Sequence, residues 1–585
     1  MVQMSKRSVV ETRRLIEVAS GRRAADYYLS NGRIVNVYSG EVIEGNVATS
    51  GERIAYVGPS DTMVGSGTMV VDVGGDYLIP GFFDPHAHAD LLFNPATFSD
   101  QVVVTGTTAV FADNHDLVNS LGLKGLRRIL RDSKSYPLKF FTGVPAVSPP
   151  FPGLEGEDFY PLRDLCGLLE GETALAISEI TPFVRLVRGD RRLLSKITLA
   201  RNMGKRVEGH TVGASYDKLN AIIDGGITSC HESIKPEDVL NRVRLGLYVM
   251  LRHGSIRSDL QSLSKTLKEC QGMSSNRVML ATDGVFAEDF ISHGYMDYLV
   301  SEAIKYGIEP IEAIRMVTLN PAAYFGLDWD LGGIAPSRFA DISVVKDLRR
   351  PTPRLVMERG RIVAREGELT VDPSPLPAIG LGDRPFSLGK IDESLFRVPS
   401  RSKGKLRVPM IHIVDKTVTE RGDVQLTVRE GAIEADAVRD ILKIVLIQRD
   451  GKRRGCGFLS GFGARIGGIA SSIAHDTHNL MIIGADDRDM ATALDRVIRI
   501  KGGIVLVHGG KILHELPLPI GGTMSPLPMG ELAREVEKLK RVFRDFGCPL
   551  QDPIWTMGFL SFTSIIEVRI TPSGVYDVKK GRVIF

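Results

Sequence analysis

Short, continuous apolar runs and longer amphipathic stretches alternate along residues 77–331. TTAVFAD, LKFFTGVPA, ALAIS, KRVEGH, ITSCHE, YVMLRHGS and RVMLATDG read as buried strands, since runs this short suit a parallel sheet covered on both faces. Between them, LKGLRRILRDS, YDKLNAIIDGG and MDYLVSEAIKYG repeat apolar residues three and four apart, the period of a helix with one buried face. Alternating strand and helix predicts a parallel sheet. About eight such units in roughly 250 residues is the size of a (β/α)8 barrel.

The texture changes on either side. Residues 25–76 alternate apolar and polar positions around Asn31-Gly32, Ser39-Gly40 and Ser50-Gly51-Glu52, as in a small antiparallel sheet. The same pattern returns in GGIAPSRFADISVVKD and LVMERGRIVAREGEL, within residues 332–370. These two pieces are expected to build one β-sandwich: residues 1–76, opening with a helix at VVETRRLIEVA, and residues 332–370. A Pro- and Gly-rich linker, 371–390, leads to a domain at 391–585 that mixes strands such as AVRDILKIVLIQRD with helices such as ELAREVEKLKRVF. The predicted class is therefore α/β: a (β/α)8 TIM-like barrel with a flanking β-sandwich and a C-terminal α/β (α+β) domain.

Composition narrows the function classes. At 585 residues the chain exceeds what one core holds. A net charge of +3 gives no steering argument for nucleic acid or an anionic membrane. Cys166, Cys230, Cys270, Cys456 and Cys548 are scattered, with no C-x-x-C, which argues against a disulfide framework and a cysteine-based zinc site. No apolar run has signal-peptide or transmembrane character, so a cytoplasmic protein without membrane or nucleic-acid partners is expected.

Barrel chemistry sits where strands end at the C-terminal face. The polar residues at those ends are His86, His88, His115, Asp116, Glu179, His210, His231, Glu232 and Asp283. In LIPGFFDPHAHAD an apolar run broken by Pro80-Gly81 stops at Asp84 and then delivers His86 and His88. Residues two apart on a strand point the same way, so both imidazoles project together. With His210, His231, Glu179 and Asp283 they make a mixed nitrogen and oxygen set suited to zinc, manganese or iron. A carboxylate such as Glu179 can bridge two divalent ions, and coordination brings the pKa of bound water towards neutrality. Asp283, ending RVMLATD, can accept the nucleophile's proton and pass it to a leaving group. Far downstream, SSIAHDTHNLMIIG sets His475, Asp476 and His478 close together. That segment is either a structural polar turn or one that closes over the barrel mouth to touch substrate or metal.

LIPGFFDPHAHAD resembles the first-strand signature of the amidohydrolase superfamily, metal-dependent hydrolases built on a (β/α)8 barrel. From about Ala25 to its end the chain is similar to the adenine deaminase family. PGFFDPHAHAD, VTGTTAVFADNHDLVN, VEGHTVGASYDKLNAIIDGGITSCHES, RLGLYVMLRHGS, SGFGARIGGIASSIAHDTHN and ELPLPIGG followed by MSPLP carry the likeness. The resemblance implies hydrolysis of the 6-amino group of adenine to hypoxanthine and ammonia. It also implies two divalent ions, manganese favoured, held by His86, His88, Glu179, His210, His231 and Asp283, and it places His115 and Asp116 in the active site. Asp283 is expected to relay the proton, His115 and Asp116 to assist N1 with Glu232 as the alternative, and His475, Asp476 and His478 to bind substrate. The partner is a small molecule, and a homo-oligomer is the expected assembly.

Three departures from the family pattern stand where substrate or metal would be. Ala89-Asp90-Leu91-Leu92 replaces an Ile-Glu-Ser-Ser run, Asp113-Asn114-His115-Asp116 replaces Asp-Pro-His-Glu, and Thr282-Asp283-Gly284 replaces Thr-Asp-Asp. They keep open a related amidohydrolase acting on another amino-heterocycle or a cyclic amide. A catalytically silent binding protein of the same fold is disfavoured, because buried ligand-type residues need partners.

Overall fold

A computed structural model describes residues 7–157, 160–270, 272–382, 384–565 and 567–585. Eight parallel strands succeed one another through its middle: β1 (Phe82–Ala87), β2 (Thr107–Ala112), β3 (Lys139–Val144), β4 (Ala174–Ile180), β5 (Arg206–Gly209), β6 (Ser229–Cys230), β7 (Tyr248–Arg252) and β8 (Val278–Ala281). Strands β1 to β5 pair in chain order, as do β6 to β8. Two further bonds curl the pieces into a barrel. Thr228 N–H donates to Val207 O at 2.9 Å between β5 and β6, and Asp283 N–H returns to His86 O at 3.1 Å from β8 to β1. Phe83, Phe111, Phe141, Met250 and Met279 are buried together with Phe325, whose ring stacks 4.8 Å from Phe111. Bulky side chains fill the barrel, so it is a packed core that offers chemistry only at its rim.

The apolar run before His86 is two strands in two sheets. Tyr77–Pro80 pairs with Ile342–Val345 and with Tyr27–Asn36 outside the barrel, so the barrel starts at Phe82 rather than at the expected residue 77. Gly81 is the pivot, since a Cβ there would stand 2.2 Å from Thr108 Oγ1. Both strand-rich flanks join one sheet, whose hydrogen-bonded path runs from Glu368–Leu369 through Ile342–Val345 and Tyr77–Pro80 to Arg53–Gly58. Leu29, Ile34, Val47 and Leu78 from the first flank pack with Ile342, Val344, Leu355 and Met357 from the second. The helix Val9–Ala19 starts on a capping box between Ser8 and Glu11 and buries Leu15 and Val18.

No helix or strand interrupts residues 371–382 or 384–392. Beyond them a ten-stranded sheet, antiparallel except where Ile411 and His412 meet Leu459 and Ser460, carries the helices Asp487–Arg499 and Met529–Asp545. This unit is bolted to the barrel rim. Ser525 N–H donates to Leu92 O at 2.6 Å, Asn94 Nδ2 to Ser525 O at 2.8 Å and Asn119 Nδ2 to Asp476 O at 2.9 Å. Lys540 pairs with both Glu288 and Asp552. Among the described residues, no helix is long and apolar enough to cross a membrane.

Candidate active site

Side chains at the ends of β1, β4, β5, β6 and β8 converge. Asp84 locks the first of them: it accepts from His86 N–H at 3.1 Å and, across the barrel, from Thr282 Oγ1 and Tyr295 OH at 2.6 Å each. His86 and His88 follow with ring centroids 5.5 Å apart. Asp283 Oδ1 stands 3.4 Å from His86 Nε2 and 3.5 Å from His88 Nε2. Glu179 Oε1 lies 3.8 Å from His88 Nε2, while its Oε2 lies 2.7 Å from His210 Nδ1 and 3.4 Å from His231 Nε2. One carboxylate thus faces histidines from three strand ends. His231 stacks on His86 with centroids 3.9 Å apart.

These imidazoles are buried with nitrogens that no hydrogen bond satisfies: both on His86, both on His231, Nδ1 of His88 and Nε2 of His210. Buried polar atoms are rarely left alone, and a neutral imidazole nitrogen is a metal ligand as readily as an acceptor. The ligand atoms of His86, His231 and Asp283 lie within 4.8 Å of one another, as do those of His86, His88 and Glu179. The donor set therefore fits divalent metal. The electrostatics differ from ligand to ligand: burial opposes charge on His86 and His88, yet Asp283 outweighs it and raises both, His86 to about 10. Burial opposes charge on Asp283, but the Arg252 guanidinium and the adjacent His86 and His88 imidazoles hold its pKa well below the carboxylate range. Burial and the charge of His86 push His231 well down, towards the neutral form that ligates. His210 goes the other way, up to about 9, because Glu232 and Glu179 outweigh its burial.

Arg252, at the end of β7, escaped the sequence reading although RLGLYVMLRHGS contains it. Its Nη1 donates to Asp283 Oδ2 at 2.9 Å and to Glu232 Oε1, so one cation holds both carboxylates. A cavity of about 420 Å³ opens beside them. Glu232 and Arg252 line it on the barrel side, and Trp555, Phe559 and Phe562 arrive from the C-terminal domain. No local pattern in the sequence marks those aromatics as site residues.

His88, Glu179, His210, Glu232, Asp283 and His475 all line this cavity, whereas His115, Asp116, Asp476 and His478 do not. The latter four gather behind His88. Asp116 Oδ2 is 3.6 Å from His88 Nδ1, and Asp116 Oδ1 accepts from His478 Nε2 at 2.8 Å and lies 3.1 Å from His475 Nδ1. His115 Nδ1 is fixed by Asp113 Oδ1 at 2.7 Å, and Asp113 Oδ2 also takes the Glu179 N–H at 2.7 Å. His115 and Asp116, expected to assist a substrate ring atom, lie beside His88 and outside the cavity lining, while Glu232 faces the cavity. Leu91 lines the cavity too, and it packs over Gly284, where a Cβ would come 2.6 Å from Leu91 Cδ1.

Residues 77–363 match the Amidohydrolase family, and residues 416–582 match the Adenine deaminase C-terminal domain. The chain is 37% identical over 585 residues to the adenine deaminase of Moorella thermoacetica, covering 98% of this chain and 97% of that protein. It is 36% identical over 572 residues to the adenine deaminase of Cenarchaeum symbiosum, covering 97% and 93%. With the adenine deaminase of Clostridium botulinum strain 657 it shares 34% over 581 residues, covering 97% and 96%.

Proposed function

Because the chain belongs to the adenine deaminase family, we propose that the histidines and carboxylates at the barrel mouth hold two divalent ions and work on the purine beside them. The reaction is the hydrolytic deamination of adenine, which releases ammonia and leaves hypoxanthine. It makes the protein a metal-dependent hydrolase of C–N bonds other than peptide bonds. His86, His88, Glu179, His210, His231 and Asp283 would hold the ions, with Glu179 between the two imidazole pairs. The mixed ligand set admits manganese, iron or zinc, and manganese is the proposed ion. When bound, the ions supply a water of lowered pKa and offset the buried negative charge.

The protein's own groups do the rest. Asp283 is ionised and has Oδ1 beside two metal-ligand nitrogens, so it accepts the attacking water's proton and returns it to the departing amino nitrogen. Attack at C6 breaks the ring's aromaticity and builds charge on N1. Glu232, lining the cavity and held by Arg252, would pass the water's other proton to N1 and then accept a hydrogen bond from N1–H. Trp555, Phe559 and Phe562 offer flat apolar faces for the purine and exclude bulk water. His115 and Asp116 act through His88, as positioning residues. His475 meets the substrate at the cavity wall, with Asp476 beside its Nε2 and with Asp116, itself bound by His478, beside its Nδ1.

The orphaned nitrogens of buried His86, His88, His210 and His231 carry this reading. The test is a His86→Ala/His88→Ala variant assayed for metal content and for ammonia release from adenine. It should lose most bound metal and nearly all turnover. Unchanged metal content would remove the site assignment, and ammonia-free opening of a cyclic amide by the metal-replete parent would remove the substrate.

A further inference from the structure

We infer that the seam between the barrel and the C-terminal domain holds a further metal site, adjoining the two-ion centre at His88 and formed by His115 and Asp116 with His475 and Asp476. Two imidazoles there are anchored at one nitrogen by a carboxylate. Asp113 Oδ1 holds His115 Nδ1 at 2.7 Å, and Asp116 Oδ1 faces His475 Nδ1 at 3.1 Å. A carboxylate behind one ring nitrogen, with the other nitrogen left free, is the arrangement that orients metal-binding histidines. The second nitrogens converge on Asp476 Oδ1, which stands 2.9 Å from His475 Nε2 and 3.6 Å from His115 Nε2, and Asp116 Oδ2 is 3.6 Å from that same His115 Nε2. Adjacent ligand atoms on one ion bound at about 2.0–2.2 Å are separated by about 2.9–3.6 Å, depending on geometry. The three separations fall in that range.

Two observations favour an ion over a closed hydrogen-bond network. His115 Nε2 and Asp476 Oδ1 are both buried without a hydrogen-bond partner, although they face one another. No lysine or arginine forms an ion pair with Asp116 or Asp476 among the described residues; their charged neighbours are histidines. A divalent cation would satisfy both orphaned atoms and offset both carboxylates. Two nitrogens and two oxygens suit zinc, manganese or iron rather than calcium or magnesium. The ligands come half from the start of the helix His115–Asp132 and half from the loop between strands Gly468–Ser471 and Leu480–Gly484. Occupancy would therefore tie the C-terminal domain down over the barrel mouth.

The experiment strips the full-length protein with chelator, reloads it with zinc or manganese alone and counts metal per chain at saturation. The parent should bind one equivalent beyond the two-ion centre, and both His475→Gln and Asp476→Asn should lose that one equivalent. His86→Ala/His88→Ala should keep it while losing the barrel ions, so a failed two-ion centre and a failed seam site give different counts. The two isosteric variants differ in their risk to folding, and each is measured after confirming a parent-like circular dichroism spectrum. A parent that saturates at the two-ion count, or variants whose count equals the parent's, would overturn the site and leave the cluster as a hydrogen-bonded network.

Discussion

Replacing Arg252 by methionine tests how the cavity's two carboxylates are held. The guanidinium is 1% exposed and donates to Asp283 Oδ2 at 2.9 Å, to Glu232 Oε1, and to Asp259 Oδ2 at 3.3 Å. A hydrogen bond to a charged group contributes about 1.5–3 kcal/mol, and about 1.4 kcal/mol is tenfold in rate, so losing the Asp283 contact alone should lower kcat/KM by roughly 10- to 150-fold. The pH profile gives an independent reading. Burial pushes the Asp283 pKa up, and the Arg252 charge is the strongest influence pulling it down. Without that charge the pKa rises, so the acid limb of kcat, where the base loses its proton, moves to higher pH. Arg252→Lys keeps a cation but not the fork that reaches both carboxylates, and should fall between parent and methionine variant. The assay is the absorbance change from adenine to hypoxanthine across pH, with metal content measured in parallel. A methionine variant that keeps its metal and stays within about threefold of the parent, with an unmoved acid limb, would refute the reasoning.

Three other outcomes follow from the same geometry. Asp283→Asn should lower kcat by about 10²–10⁴-fold, the usual loss of general acid–base catalysis, and a smaller loss at parent-like metal content would assign the proton to another group. Phe562→Ala removes one aromatic wall; an aromatic pair contributes about 0.5–1.5 kcal/mol, so KM for adenine should rise roughly 2- to 12-fold with less effect on kcat, and an unchanged KM would take the ring off the substrate. Glu155, bonded to Thr563 Oγ1 at 2.6 Å, has its pKa pushed up to about 8, chiefly by burial. Its folded form holds the proton more tightly than the unfolded chain, so stability falls as pH rises from the ordinary carboxylate range to about 8 and then levels. Glu155→Gln should flatten that slope, and thermal midpoints on either side of the window that fall equally in both proteins would exclude Glu155 as its source.

What could be read from the sequence was whatever a local pattern encodes. The strand-and-helix alternation gave the barrel because buried parallel strands must be apolar throughout, and His86-x-His88 stood out because its spacing is that of one strand face. Arg252 went unseen because an arginine ending an apolar strand has no signature until its partners Glu232 and Asp283 are in place. The switch of sheets at Gly81 was visible as a Pro-Gly break, but its meaning depends on Thr108 standing where a side chain would go. Harder still was the cavity's second wall. Phe562 and His475 touch with ring centroids 4.6 Å apart, and His475 meets Asp116 at 3.1 Å from far along the chain. Such contacts follow from how two domains dock, and no window of sequence contains them.

Two of the departures from the family pattern, at positions 91 and 284, meet in the packing of the cavity wall. Read singly, a leucine at position 91 removes a hydroxyl and a glycine at position 284 removes a carboxylate, so each looks like damage to a polar site. In the fold they are one arrangement. A Cβ on residue 284 would lie 2.6 Å from Leu91 Cδ1 and 3.0 Å from Ile256 Cδ1, so no larger residue fits at 284 while those side chains stay put. Gly284 is bare because Leu91 and Ile256 occupy its space, and both of them line the cavity. An apolar wall at this position leaves no buried carboxylate in need of a partner. Asp283, one residue earlier, keeps its place on Arg252 at 2.9 Å. The apolar wall and the Asp283 carboxylate therefore stand side by side at the cavity.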